Sequence, residues 1–115
     1  MLYEKLDVWK RSRQLTIEVY KTMGQCRDYG FKDQITRSAL SAPSNIAEGC
    51  ERLSLKERIR FFDIAKGSIG EFKTQTSIGI EIGYINKQSG DRWLKEASEL
   101  AKMLASLMQK YRLSV

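Results

Sequence analysis

The chain has no histidine, so acid–base or metal chemistry would have to come from carboxylates, serines and lysines. Histidine is the commonest general base and the commonest metal ligand in proteins. Glu48, Glu71 and Glu81 are the carboxylates to consider, but Glu71 and Glu81 would lie about 15 Å apart along one helix. No serine has a lysine three positions later to act as its base. We therefore expect no enzymatic activity, no metal site and no cofactor.

Four glycines fall inside a helical pattern instead of between a strand and a helix, so they do not form a phosphate-binding loop. A glycine inside a helix costs about 1 kcal/mol relative to alanine, which requires a compensating role. We predict that these glycines allow neighbouring helices to approach closely. They are Gly67, Gly70, Gly79 and Gly83.

The charge of the chain favours an anionic partner, because 20 Lys and Arg residues exceed 14 Asp and Glu residues, a net charge of +6. One basic cluster lies in the first helical segment, and a denser one lies at the start of the third. Since the aromatic residues fall on predicted core stripes, we expect phosphate-backbone binding with little sequence specificity. The alternative is that both clusters are ordinary solvated surfaces. The candidate nucleic-acid-binding residues are Lys10, Arg11, Arg13, Arg52, Lys56, Arg58 and Arg60.

Apolar residues recur at spacings of three and four through most of the chain, which indicates amphipathic helices. The clearest boundary is Ser54-Leu55-Lys56-Glu57, a capping box that starts a helix. We predict helices over residues 3–23, 31–49, 55–85 and 91–112. The class is all-α, and the predicted architecture is a single domain, residues 1–115, folded as an antiparallel up-down-up-down four-helix bundle.

The second predicted helix contains Pro43, the single proline of the chain. Proline removes a backbone donor and clashes with the preceding turn, so we expect a kink at Pro43 in a helix that continues beyond it. Polar residues nearby are predicted to form a buried network, in which Asn45 serves backbone groups freed by the proline and Arg37 pairs with a glutamate. A binding or catalytic cluster is the alternative. The predicted network consists of Arg37, Asn45, Glu48 and Glu71.

The third predicted helix has apolar residues on more than one face, among them Phe61, Ile64, Ile69 and Ile78. A bundle of this size offers each helix one core to face, so the surplus apolar surface indicates a further interface. We therefore expect the protein to self-associate. A central helix covered by its three partners is the alternative.

The amino-terminal segment is too charged for a signal peptide, and no window approaches the roughly 18 apolar residues that a membrane span needs. Cys26 and Cys50 have no spacing typical of a metal site, and we interpret both as reduced, small apolar residues. We expect a cytoplasmic protein without membrane association.

Four blocks of sequence stand out: Leu6-x-Val8-Trp9, Gln34-Ile35-x-Arg37-Ser38-Ala39, Ser44-Asn45-Ile46-Ala47-Glu48-Gly49 and Arg60-Phe61-Phe62-x-Ile64-Ala65-x-Gly67-Ser68-x-x-Glu71. In these blocks the chain resembles one protein family, and the resemblance covers nearly the whole chain. The family comprises four-helix-bundle proteins encoded in intervening sequences of bacterial 23S ribosomal RNA genes, and the resemblance extends to the accessory variability protein of diversity-generating retroelements. It implies a bundle, a homopentameric ring, an RNA or DNA partner and a reverse transcriptase as protein partner.

Composition, charge and resemblance together predict a non-enzymatic, homo-oligomeric adaptor whose basic surface binds the phosphates of RNA or DNA. The alternative is a scaffold that recruits an acidic protein partner without nucleic acid. Nucleic acid that copurifies with the protein and is removed by high salt would favour the adaptor.

Overall fold

The computed structural model describes residues 2–114, and in that range every regular element is helical. The predicted all-α class is therefore confirmed, while Met1 and Val115, the ends of the predicted domain, lie outside the described residues. None of the described helices combines the length and the apolar character that a membrane crossing requires. The elements are a short 3-10 helix, Tyr3–Lys5, followed by α1, Asp7–Met23; α2, Tyr29–Cys50; α3, Leu55–Glu81; and α4, Lys87–Leu113.

Polar side chains cap the starts of α2, α3 and α4, and each accepts a hydrogen bond from the backbone amide three residues ahead. The capping residues are Asp28, Ser54 and Asn86, with distances of 3.1, 3.0 and 2.8 Å. The predicted start of α3 is confirmed. Because Asn86 supplies a cap, α4 begins at Lys87 instead of the predicted Asp91.

The end of α3 also differs from the prediction. The helix stops at Glu81 and not at Ile85, because Gly83 has a φ of +83°, in the left-handed region. The amides of Tyr84 and Ile85 then donate to the Gly79 carbonyl at 2.9 and 3.1 Å. Gly83 therefore lies beyond the end of α3 and has no role inside it.

Each helix packs against the next one along the chain, and α1 also meets α4, as in a four-helix bundle. The molecule measures 46 × 21 × 19 Å, the elongated shape of helices lying side by side. Ser41 bonds to Ser68, whereas Ser38, one turn earlier in α2, bonds to Gln75, further along α3. That order is expected for antiparallel neighbours, and the complete up-down-up-down course stays a prediction.

Besides Gly83, two more of the four glycines do not have the predicted packing role inside the protomer. A Cβ added to Gly67 or Gly70 would meet no atom within 4 Å, because both lie on the exposed side of α3. The prediction of close helix packing is wrong at these two positions of the protomer. Gly79 does lie in a close contact, since an added Cβ would be 2.5 Å from the Cδ1 atom of Ile85.

The second helix continues through Pro43 without interruption. Pro43 has no N–H, so the Ala39 carbonyl lacks its usual donor one turn later. The hydroxyl of Thr16, in α1, lies 2.9 Å from this carbonyl and 2.8 Å from the Ser12 carbonyl of its own helix, so it shares its one proton between the two. A neighbouring helix therefore supplies the hydrogen bond that the proline removes, and the predicted kink stays a prediction.

Candidate nucleic-acid interface

The turn from α2 to α3 is held by Arg58, whose side chain reaches back to the end of α2. Its Nε donates to the Gly49 carbonyl at 3.3 Å, and its Nη2 donates to the Arg52 carbonyl at 2.9 Å. Carbonyls at a helix end lack intrahelical partners, and a cation there interacts favourably with the helix dipole. Arg58 therefore stabilises the turn that presents the neighbouring basic residues.

This position corrects the prediction that Arg58 belongs to an exposed phosphate-binding cluster. The Cζ atom of Arg58 lies 5.5 Å from the centroid of the Tyr111 ring, in the last turns of α4, and that ring lies 5.8 Å from Phe62. Burial raises the pKa of the Tyr111 phenol, and the charge of Arg58 opposes that shift. Arg58 is thus partly covered, and its contacts are structural.

Arg52, Lys56 and Arg60 present part or most of their side chains to solvent. The side chains of Arg52 and Arg60 are 42% and 64% exposed, and Lys56 is also exposed. Arg52 pairs with Glu48 at 2.8 Å, and Arg60 pairs with Glu57 at 3.6 Å. Exposed ion pairs of this kind contribute about 0–1 kcal/mol, so they hold the side chains weakly. A phosphate group can therefore compete for both guanidinium groups.

Both of these guanidinium groups lie over one aromatic ring. The Cζ atoms of Arg52 and Arg60 are 4.8 and 5.5 Å from the centroid of Phe61, which is half-buried. Gly49 packs closely against Phe61, since an added Cβ at Gly49 would lie 3.1 Å from the Phe61 Cβ. The apolar periodicity of α3 gives no sign of this cation–π arrangement, because it depends on residues from both sides of the turn.

The three residues of the basic cluster in α1, Lys10, Arg11 and Arg13, differ in their ion pairing and exposure. The Nε of Arg11 donates to Glu96 of α4 at 2.9 Å, and the same guanidinium also pairs with Glu99. The hydrogen bonds to these carboxylates raise the pKa of Arg11 above its ordinary value. Lys10 and Arg13 are exposed and form no ion pair within residues 2–114. Arg11 therefore bridges α1 and α4, whereas Lys10 and Arg13 are accessible to an anion.

Two basic residues outside the predicted clusters lie at the same end of the bundle as the α2–α3 turn. Lys110 and Arg112 are exposed in the last turn of α4, on either side of Tyr111. Since Tyr111 packs against Phe62 and beneath Arg58, this turn lies next to the start of α3. The predicted topology could have indicated that Lys110 and Arg112 lie near the α2–α3 turn, because an up-down-up-down bundle brings the end of its fourth helix beside the end of its second.

The predicted polar network is not formed within the protomer. Asn45 donates to a backbone carbonyl of its own helix at 2.9 Å, not to the carbonyl freed by proline, and Glu48 pairs with Arg52. Arg37 and Glu71 are exposed and take part in no ion pair in the part of the chain that the structure describes. The prediction is wrong because it assumes a buried Arg37, whereas Arg37 and Glu71 both face outward.

The described residues contain no group of three or more His, Cys, Asp or Glu side chains arranged to hold a metal ion. Cys26 is half-buried, Cys50 is buried, and neither forms a disulfide. Burial raises the pKa of the Cys50 thiol. The thiolate is the reactive form of cysteine, so burial disfavours reaction at Cys50.

The sequence model of the 23S rRNA-intervening sequence protein family matches residues 4–106. The chain is also similar to the crystal structure of a protein of unknown function from the S23 ribosomal protein family of Bacteroides thetaiotaomicron. The two chains share 23% identity with a TM-score of 0.82, over 88% of this chain and 97% of that one, a likeness of fold. No curated protein matches the chain.

Proposed function

The chain belongs to the 23S rRNA-intervening sequence protein family, and from this membership and its basic surface we propose that it is a nucleic-acid-binding adaptor without catalytic activity. Its ligand is the phosphate backbone of RNA or DNA. The adaptor works in the cytoplasm as a homo-oligomer, and the sequence resemblance implies a pentamer with a reverse transcriptase as protein partner.

The observation that carries this proposal is a collection of exposed cations at one end of the bundle, which we call the basic end. Separate chain segments contribute to it, so the charge density is not a property of one helix face. Affinity for nucleic acid rises steeply with the number of phosphate contacts, and an oligomer repeats each contact. Lys10 and Arg13 add exposed charge on α1. The basic end comprises Arg52, Lys56, Arg60, Lys110 and Arg112.

Lys56→Glu combined with Arg60→Glu should weaken binding to RNA and DNA of any sequence while the fold stays intact. A glutamate at position 56, in the first turn of α3, suits the helix dipole, and position 60 is exposed in the second turn. Arg58 is left unchanged because it holds the turn. Each lost phosphate contact should reduce the slope of log affinity against log salt by about 0.7 for a single strand or about 0.9 for duplex DNA. Filter binding at several salt concentrations measures the slope, and circular dichroism checks the fold.

The matched control is Lys66→Glu combined with Lys102→Glu, which makes the same type of substitution at exposed lysines outside the basic end. The control should retain more affinity and a steeper salt slope than the variant at the basic end. An equal loss in both variants would contradict the assignment of binding to the basic end. A wild-type protein that binds no nucleic acid and captures an acidic protein would favour the scaffold function instead.

The proposed oligomer interface is the outer side of α2 and α3. Leu40, Ile64 and Ile78 are exposed there, although apolar side chains of this size usually lie in a core or an interface. Ser44 and Gly67 are small, exposed residues on the same two helices, and they would let a helix of a second copy approach closely. The surplus apolar surface of α3 is thus explained by a second copy of the chain.

Gly67→Leu should reduce the oligomer mass without unfolding the protomer. The space around Gly67 within its own chain is open, so the new side chain would meet only a second copy. Light scattering of the wild type at micromolar concentration should give a multiple of the 13.3 kDa protomer mass. Ala105→Leu, at an exposed position of α4, is the control and should keep the wild-type mass. A wild-type mass equal to one protomer would contradict the assembly.

A further inference from the structure

The α2–α3 turn presents a mixed apolar and cationic surface, which we call the stacking surface. It consists of Arg52, Leu53, Arg60 and Phe61. Leu53, at the tip of the turn, is fully exposed, and Phe61 is half-buried beneath the two guanidinium groups. Phosphate binding explains the two arginines but neither the exposed leucine nor the aromatic ring beneath them.

The chemistry of this surface suits a flat, partly apolar ligand. A guanidinium group is planar and weakly hydrated, and it stacks on aromatic rings more readily than a lysine ammonium does. Phe61 restrains Arg52 and Arg60, with Cζ–centroid distances of 4.8 and 5.5 Å, while 42% and 64% of their side chains remain exposed. Unpaired nucleobases stack on guanidinium planes and aromatic rings in this way.

We propose that the stacking surface binds unpaired bases, so that the ligand of the basic end is single-stranded nucleic acid. The inference rests on the proposed phosphate binding and adds to it a contact with the bases. Bases in a duplex are stacked on one another and present only their edges in the grooves, so they cannot cover Leu53 or the guanidinium groups. Base stacking is also tolerant of sequence, because every base has a π-face.

The first experiment compares three ligands of equal length: a deoxythymidine strand, an abasic strand with the same phosphates, and a duplex. The deoxythymidine strand should bind wild-type protein about 5- to 150-fold more tightly than the abasic strand for each stacked base. Equal affinity for the deoxythymidine and abasic strands would overturn the stacking surface and leave phosphate binding in place. Failure of all three ligands to bind would overturn both the stacking surface and the proposed function.

The second experiment uses Arg52→Lys combined with Arg60→Lys, which keeps both positive charges and removes both guanidinium planes. This variant should lose most of the preference for the deoxythymidine strand, measured as the ratio of its affinity to that for the abasic strand, so that any change in phosphate binding common to both strands cancels. The matched control, Arg27→Lys combined with Arg92→Lys, changes two arginines at the opposite end of the bundle and should keep the preference. An unchanged preference in the Arg52→Lys, Arg60→Lys variant would overturn the inference.

Discussion

Thr16→Val should lower the free energy of unfolding by about 1–3 kcal/mol, although valine has nearly the size and shape of threonine. Thr16 is buried, and its hydroxyl lies 2.9 Å from the Ala39 carbonyl, which Pro43 leaves without a helical donor. Valine has no donor, so this carbonyl would be buried without a partner. Urea unfolding measures the loss, at one fixed protein concentration because the stability of an oligomer depends on concentration.

Two further variants test the cause of that loss. In a Pro43→Ala background the amide of residue 43 can donate to the Ala39 carbonyl, so Thr16→Val should cost at least about 1 kcal/mol less there. Thr76→Val is the matched control, since Thr76 is fully buried and its hydroxyl has no hydrogen-bond partner among residues 2–114. Removing that hydroxyl should be neutral or stabilising. A similar cost for Thr16→Val in both backgrounds would show that its hydroxyl does not compensate for the proline.

Gly49→Ala should lower the free energy of unfolding by about 1–3 kcal/mol, whereas Gly70→Ala should raise it by up to about 1 kcal/mol. Both glycines lie inside helices, where alanine is intrinsically favoured. A Cβ at position 49, however, would lie 2.9 Å from a ring carbon of Phe62, which is fully buried. At position 70 the Cβ would meet nothing within 4 Å, so only the helix propensity acts.

The same urea experiment measures both glycine variants, and a third variant identifies the neighbour responsible. Phe62→Leu removes the aromatic ring, so it should cost less in the Gly49→Ala background than in the wild type. If Gly49→Ala were as stable as Gly70→Ala and showed no coupling to Phe62, the packing of α2 on α3 would not depend on a glycine at position 49.

The sequence by itself determines the helical class and the start of α3, because these depend on residues close together in the chain. Ser54 and Glu57 predict the first turn of α3. The errors at the start of α4 and at the end of α3 have local causes as well. Asn86 is a good capping residue, and Gly83 is a residue that readily adopts a positive φ, so both signals were present in the sequence.

The total positive charge also follows from the sequence, but the accessibility of each cation does not. Arg58 and Arg60 lie two positions apart in one helix, yet Arg58 is held by carbonyls of the preceding turn while Arg60 remains mostly exposed. Arg11 is paired with Glu96, a residue 85 positions away. A charge pattern identifies residue types, whereas the partner of each cation depends on which helices the fold brings together.

The glycines and the proline also have some effects that the sequence determines and others that only the tertiary structure decides. Sequence predicts that each glycine inside a helix has a cost and that Pro43 removes a hydrogen bond, because both effects arise in the local backbone. Only the tertiary structure decides that Gly49 lies against Phe62, that Gly70 faces open space and that Thr16 compensates for the proline. These outcomes depend on atoms from other helices, whose positions are set by packing of the whole core and not by local periodicity.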